Sequence, residues 1–209
     1  MLVRLIIKLL SVFAALSLLA PTVVADGPGE DPTVQETGWG QLCVRGMLKF
    51  FEGKVDMGMV SAGELSALGT TPKVGETPDW DKLRDLEFVL VKLTGADLLT
   101  ALGRSAKYMP RKNANLLHLQ GLTVLCTKTG ETNVVVAASV NNEPILPDQV
   151  YKVAMTKFLA EGGGPFVGLK SLEVVTKTPH SLARQIRLLL FPRGRIAAAK
   201  SSYLFPEGE

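Results

Sequence analysis

The chain has 209 residues, 46% of them hydrophobic, with 23 basic against 20 acidic side chains. Setting aside Arg4 and Lys8 near the start leaves a near-neutral remainder, which offers no broad electrostatic footprint for nucleic acid or anionic lipid. The length beyond the first 25 residues suffices for one domain with a proper core and falls short of two.

Residues 1–25 combine a short basic region (Arg4, Lys8), an apolar run over 9–20 and the small-residue ending Val23-Val24-Ala25. That is the three-part pattern of a secretory signal, and its apolar run is too short to span a bilayer. Export to a periplasm or outside the cell is the expectation, with no membrane span after cleavage. Residues 26–35 are rich in Gly, Pro, Asp and Glu and read as a disordered linker. The main domain is expected over 36–192 and a basic tail, carrying Arg193, Arg195 and Lys200, over 193–209.

Trp39, Leu42, Cys43, Met47, Phe50 and Phe51 fall at helical spacing. Residues 55–60 read as a short buried strand, and 61–85 as a long polar loop punctuated by Gly69, Pro72, Gly75 and Pro78. A strand over 88–93 leads into Thr94-Gly95-Ala96-Asp97, which has the form of a capping box. The helix it starts carries Leu98, Leu99 and Leu102 and ends by Pro110. Strands are expected at 116–120 and 122–127, then, after a hairpin turn, at 132–140; 150–156 reads as a central strand. One helical turn, three consecutive glycines (Gly162 to Gly164), a strand at 172–176 and a helix from Pro179 to Pro192 complete the series. The mixture points to an α+β single domain, a mixed sheet flanked by helices. Cys43 and Cys126 each sit in an apolar stretch; a disulfide and two buried thiols both remain open.

Several motifs, in this order, resemble the C-terminal domain of the 5′-nucleotidases. Residues 36–42 are similar to the family's opening helix. Leu93-Thr94-Gly95 matches its Leu-Thr-Gly helix entry, Leu117 to Leu122 a Phe-Leu-Gln-x-x-Gly-like strand, and Glu143 to Pro147 its Gly-x-Pro-Leu-x-Pro. The resemblance implies the substrate-binding domain of such enzymes, without the metal-bearing domain that cleaves phosphate. It also implies a ligand cleft lined by Phe158, Gly162, Gly163, Phe166, Leu116 and Ser66. Against the family's pattern, Ser66 stands where an arginine holds phosphate. Glu64 adds a carboxylate, Leu116 replaces an aromatic, and Gly164 replaces the aspartate that takes the ribose hydroxyls.

Catalytic residues, metal and cofactor are expected to be none. His118, in an apolar strand, reads as a core histidine rather than a ligand. His180 follows Pro179 at a helix start, where the positive end of the dipole disfavours a charged imidazole. A phosphate loop over 163–171 fails because Leu169 stands where the lysine should. The expectation is an exported, non-catalytic module binding a small nucleoside-like ligand. Two alternatives stand beside it: the substrate-binding half of a 5′-nucleotidase whose metallophosphoesterase is a separate chain, and an interaction module of the cell envelope.

Overall fold

The computed structural model describes residues 31–69, 72, 79–81, 83, 86–171, 173–177, 182–190 and 196–206. The expected signal, Pro179, His180 and Pro192 lie outside them.

Thr37 opens the first helix, α1 (Gly38–Phe50), by accepting the Gly40 amide on its hydroxyl at 3.0 Å. The chain then enters β1 (Met57–Ser61), buried along its whole length. Within the expected long loop, Ser61 starts a short helix, α2 (Ala62–Ala67). The Ser61 hydroxyl accepts the Glu64 amide while the Glu64 carboxylate accepts the Ser61 amide, a reciprocal capping box. This corrects the reading of 61–85 as uninterrupted loop: the Ser-x-x-Glu signature was legible.

Next come β2 (Phe88–Thr94) and α3 (Gly95–Ala106), the latter capped by Thr94 on the Asp97 amide. Four strands follow: β3 (Leu117–Gln120), β4 (Leu122–Thr129), β5 (Thr132–Val140) and the two-residue β6 (Glu143–Pro144). After β7 (Val150–Thr156) come α4 (Lys157–Ala160), a 3₁₀ turn (Val167–Ser171), β8 (Glu173–Lys177), α5 (Leu182–Leu190) and β9 (Tyr203–Leu204).

The strands form two sheets rather than one. The larger has the order β3-β1-β7-β2-β8 and the smaller β6-β5-β4-β9. In the larger sheet β1 and β7 are parallel neighbours, and every other pairing is antiparallel. Side chains alternate across it, as the pleat requires. Met57, Met59, Val89, Val91, Val153 and Met155 share one core with the small sheet and α3, joined by Leu117 and Leu119. Val60, Phe88, Leu90 and Ala154 face the other way, into a second core with Trp39, Leu42 and Met47 of α1 and Leu182 and Ile186 of α5.

Cys43 lies in the second core and Cys126 in the first, so the two thiols are buried apart and free. Burial pushes the Cys126 thiol up to about 11, and raises Cys43 as well, with the Glu64 charge adding to it.

Both ends of the domain extend past the expected boundaries. Residues 31–35, read as part of a disordered linker, form a turn whose Pro32 carbonyl meets the His118 ring and whose Thr33 carbonyl accepts the Asn113 amide. The expected basic tail also enters the fold. Ile196, Ser202 and Tyr203 are buried, and β9 adds a parallel strand to β4 at Val124 and Leu125. Two side chains of the N-terminal region hold it: Gln41 brackets the Lys200 backbone, and Glu36 accepts the Ser202 amide. Basic composition predicted solvation here, but the buried apolar anchors and satisfied backbone groups outweigh it.

Candidate functional site

The parallel strands β1 and β7 end side by side, and each turns directly into a short helix. Ser61 and Thr156 are the two N-cap residues, accepting the amides of Glu64 and Leu159. A cleft of about 530 Å³ opens beside these strand ends, a size common for small-molecule sites. Ser61, Gly63, Glu64, Ala67 and Leu68 form one wall and Leu86 adds to it. Ala114 and Asn115 form the second, and Phe158, Gly163, Gly164, Pro165 and Phe166 the third. The Gly63 amide donates to the Ala114 carbonyl at 2.8 Å and fastens the first two walls together.

Glu64 supplies the carboxyl group of this lining. Its Oε2 accepts the Ser61 hydroxyl at 2.8 Å, the Thr156 hydroxyl at 2.9 Å and, more weakly, the Ser61 amide at 3.4 Å. One carboxylate oxygen thus ties the ends of β1 and β7. The other, Oε1, is covered from solvent and has no hydrogen-bond partner among the described residues. Burial raises the Glu64 pKa above the ordinary carboxylate value, and the hydrogen bonds from Thr156 and Ser61 resist that shift.

The glycine-rich turn needs its glycines for two different reasons. Gly162 and Gly164 have φ of +80° and +60°, the left-handed region that other residues enter at a cost. At Gly163 the reason is space: a Cβ would stand 2.4 Å from the Phe158 ring. Phe158 itself is 49% exposed and lies over the turn, whereas Phe166 is 2% exposed and closes the cleft from below as part of the inter-sheet core.

Of the residues expected to line a ligand site, Phe158, Gly163 and Phe166 come together here. Gly162, Leu116 and Ser66 are not in the lining. Gly162 supports the turn through the hydrogen bond its backbone N–H donates to the Leu159 carbonyl. Leu116 is wholly buried in the inter-sheet core, so the residue before it, Asn115, faces the cleft instead. Ser66 is exposed on α2, while Glu64 and Ala67 of the same helix line the cleft. Sequence reasoning missed Leu68, Leu86 and Asn115, which carry no local signal of their position.

It also missed a cation at the rim. Arg104, exposed on α3, donates to the Pro165 carbonyl. Among the described residues, no lysine or arginine belongs to the lining itself.

His118 is buried on the opposite face of β3, against α1. Its Nδ1 accepts the Thr37 amide at 3.1 Å, its Nε2 meets the Pro32 carbonyl at 3.0 Å, and both ring nitrogens are thereby satisfied. Among the described residues, no group of three or more His, Cys, Asp or Glu side chains could hold a metal ion. Nor, among them, is any helix long and apolar enough to cross a membrane.

Several solved structures share this fold. A 5′-nucleotidase precursor of Thermus thermophilus superposes with a TM-score of 0.70 at 20% identity, over 94% of this chain and 41% of that one. The NAD nucleotidase of Haemophilus influenzae gives 0.59 at 15% identity, over 97% and 41%. A sulfate thiohydrolase of Thermus thermophilus, solved with glycerol, gives 0.52 at 17%, over 86% and 36%. The chain therefore spans about two fifths of the length of these proteins. No curated protein sequence matches it at a significant level. The family described as 5′-nucleotidase, C-terminal domain, matches residues 22–171, most of the chain. With that match, and with the two-sheet architecture that carries the cleft, the chain belongs to the 5′-nucleotidase C-terminal domain family.

Proposed function

We propose that this domain is a non-catalytic binding module for a small, uncharged, nucleoside-like ligand, working outside the cytoplasm after export through its apolar leader. The observation that carries the reading is the chemistry of the cleft. Among the described residues its lining combines an exposed aromatic ring, Phe158, with apolar side chains and one partly buried carboxyl group, Glu64, and includes no cation. A planar, apolar-faced ligand gains by stacking on Phe158. A phosphate group would have to approach a carboxyl rather than the charge-assisted donors such a group needs.

Calorimetric titration with adenosine and with AMP tests this. Adenosine is expected to bind and AMP to bind more weakly. Equal, tight AMP binding would show that the phosphate is accommodated, with Arg104 at the rim as its partner, and would overturn the reading.

A second reading draws support from length. The nucleotidases sharing this fold are more than twice as long as the portion this chain covers. On that reading the domain presents substrate to a metallophosphoesterase on a separate chain. Phosphate release from AMP would then require both proteins together, which a mixing assay measures directly.

A further inference from the structure

The near-neutral total charge of the chain hides one local imbalance. Arg104, Lys107, Arg111 and Lys112, all exposed, lie at the end of α3 and in the turn that follows it. Lys107 Nζ and the Arg111 guanidinium stand 5.1 and 5.5 Å from the centroid of the Tyr108 ring, so one aromatic side chain gathers two cations. Lys128 joins them from the small sheet. It is the register partner of Asn133 on β5, and such partners share a face. The Asn133 side chain reaches α3, donating to the Ala106 carbonyl at 3.0 Å and the Met109 carbonyl at 2.7 Å, so Lys128 stands on that side too.

These bonds also fix the backbone beneath the cations. The Asn133 N–H donates to the Lys107 carbonyl at 2.9 Å and the Arg111 N–H to the Tyr108 carbonyl at 2.7 Å. The Arg111 side chain donates to the Glu131 carbonyl in the β4–β5 hairpin at 2.6 Å. Among the described residues, two carboxylates pair with the patch: Asp31 lies 3.2 Å from Lys112 and Glu131 3.9 Å from Arg111. Both pairs are at the surface, where such contacts are weak and screened, and the positive excess remains.

We propose that this patch docks the protein on an anionic lipid surface, with Tyr108 at the level of the headgroups. The proposal stands apart from whatever the cleft binds. Lys107, Tyr108, Pro110, Arg111 and Lys112 are all exposed, so the patch presents a raised surface that meets a layer of anions rather than a hollow that encloses one. Cations alone would suit an acidic protein equally. The exposed ring among them favours lipid: its apolar body enters the acyl boundary while its hydroxyl and the long basic side chains stay at the phosphates.

Cosedimentation of the full chain with vesicles tests this, using phosphatidylglycerol mixed into phosphatidylcholine against phosphatidylcholine alone. The apolar leader is common to all variants, so differences between variants carry the result. Wild type is expected to favour the anionic vesicles and to lose most of that preference in about 0.5 M salt. Each Lys or Arg near such a surface is worth about fivefold in partition, so Lys107→Glu with Arg111→Glu should weaken anionic binding by about tenfold or more. Tyr108→Ala should weaken it by about threefold, the loss of one partly inserted ring. As a control of equal net charge, Arg45→Glu with Arg184→Glu alters exposed residues of α1 and α5, which pack on the opposite face of the large sheet from α3. That pair should cost less than about threefold, since its charges lie beyond the screening length from the docked face.

Equal losses in the two double variants would mean that net charge alone acts, and would overturn the proposal. So would undiminished binding after Lys107→Glu with Arg111→Glu. Binding of wild type to polyglutamate but not to vesicles would assign the patch to an acidic protein instead. Should that double variant not fold, Lys128→Glu and Tyr108→Ala decide the matter, each expected to weaken anionic binding and leave neutral vesicles unaffected.

Discussion

The backbone amide nitrogen of Thr37 donates to Nδ1 of His118 across 3.1 Å and so joins the start of α1 to the middle of β3. With Nδ1 accepting, the ring's Nε2–H donates to the Pro32 carbonyl, and the imidazole is held neutral. Burial lowers its pKa to about 4. One residue earlier the clasp repeats with the opposite sign. Glu36 accepts the Leu119 amide at 2.8 Å and the Ser202 amide, and burial pushes its carboxyl up to about 7.

These two neighbours are predicted to bend the pH dependence of stability in opposite directions. His118 is depressed from 6.5, so between about 4 and 6.5 the unfolded chain binds more protons and stability rises with pH. Glu36 is raised from 4.5, so between about 4.5 and 7 the folded chain binds more protons and stability falls with pH. Each limb integrates to about 3 kcal/mol, and over their shared range they offset. His118→Gln should make stability fall more steeply with rising pH than in wild type. Glu36→Gln should flatten or invert that slope. Urea midpoints measured from about pH 4 to 8 check both, and three parallel profiles would count against the assignment.

Two glycine-to-alanine substitutions should act in opposite directions. At Gly40, on the face of α1 that meets β3, a Cβ would stand 2.1 Å from His118 Nδ1 and 2.8 Å from a methyl of Leu65. The ring cannot yield without breaking its bonds to Thr37 and Pro32. Gly40→Ala should therefore cost about 2–3 kcal/mol as an overpacking change, despite the better helix propensity of alanine. Gly103, in the interior of α3, has nothing within 4 Å of its Cβ position. Gly103→Ala should stabilise by about 0.5–1 kcal/mol. Chemical denaturation of both variants measures the contrast.

The elements that were legible in the sequence are those whose signal is local. Near-continuous apolar runs mark β2 and β7, buried on both faces for most of their length, and Thr94 with Asp97 marks the start of α3. The division into two sheets was not legible, because it depends on which strands pair, and β4 turns away from β3 at Gly121 with φ of +87°. The site divides in the same way. The glycine turn and Phe158 stand out in sequence. Asn115 and Leu116 differ by one residue in phase, and only the packing of the inter-sheet core decides that Leu116 turns inward. Glu64 carries a capping signature that explains one of its oxygens and says nothing of the other.

Gly163→Ala should separate ligand binding from stability. A Cβ at this position meets the Phe158 ring at 2.4 Å, but that ring is half exposed and free to swing outward. The expected cost in stability is below about 1 kcal/mol, typical of a substitution that a surface side chain can absorb. The displaced ring leaves the cleft wall, so adenosine affinity should fall several-fold. Calorimetry and a thermal melt on the same preparation would show the split, and unchanged affinity would mean that Phe158 plays no part in binding.

The C-terminal segment should prove indispensable to the fold. Tyr203 is buried in the inter-sheet core, where its hydroxyl donates to the Leu117 carbonyl at 3.2 Å and pairs with the Ser105 hydroxyl. Burial raises its pKa well above the usual phenol value, and the nearby Glu36 charge adds to the shift. Tyr203→Phe removes these hydrogen bonds without changing shape much, and should cost about 1–3 kcal/mol, although the Ser105 hydroxyl keeps the bond it accepts from the Leu117 amide. Deleting residues 193–209 does more. It strips β9 from β4, uncovers the core around Val124, and leaves Glu36 with a buried carboxyl short of the Ser202 amide. Such a chain should lose its cooperative thermal transition, whereas a solvated tail could be removed with no change in midpoint.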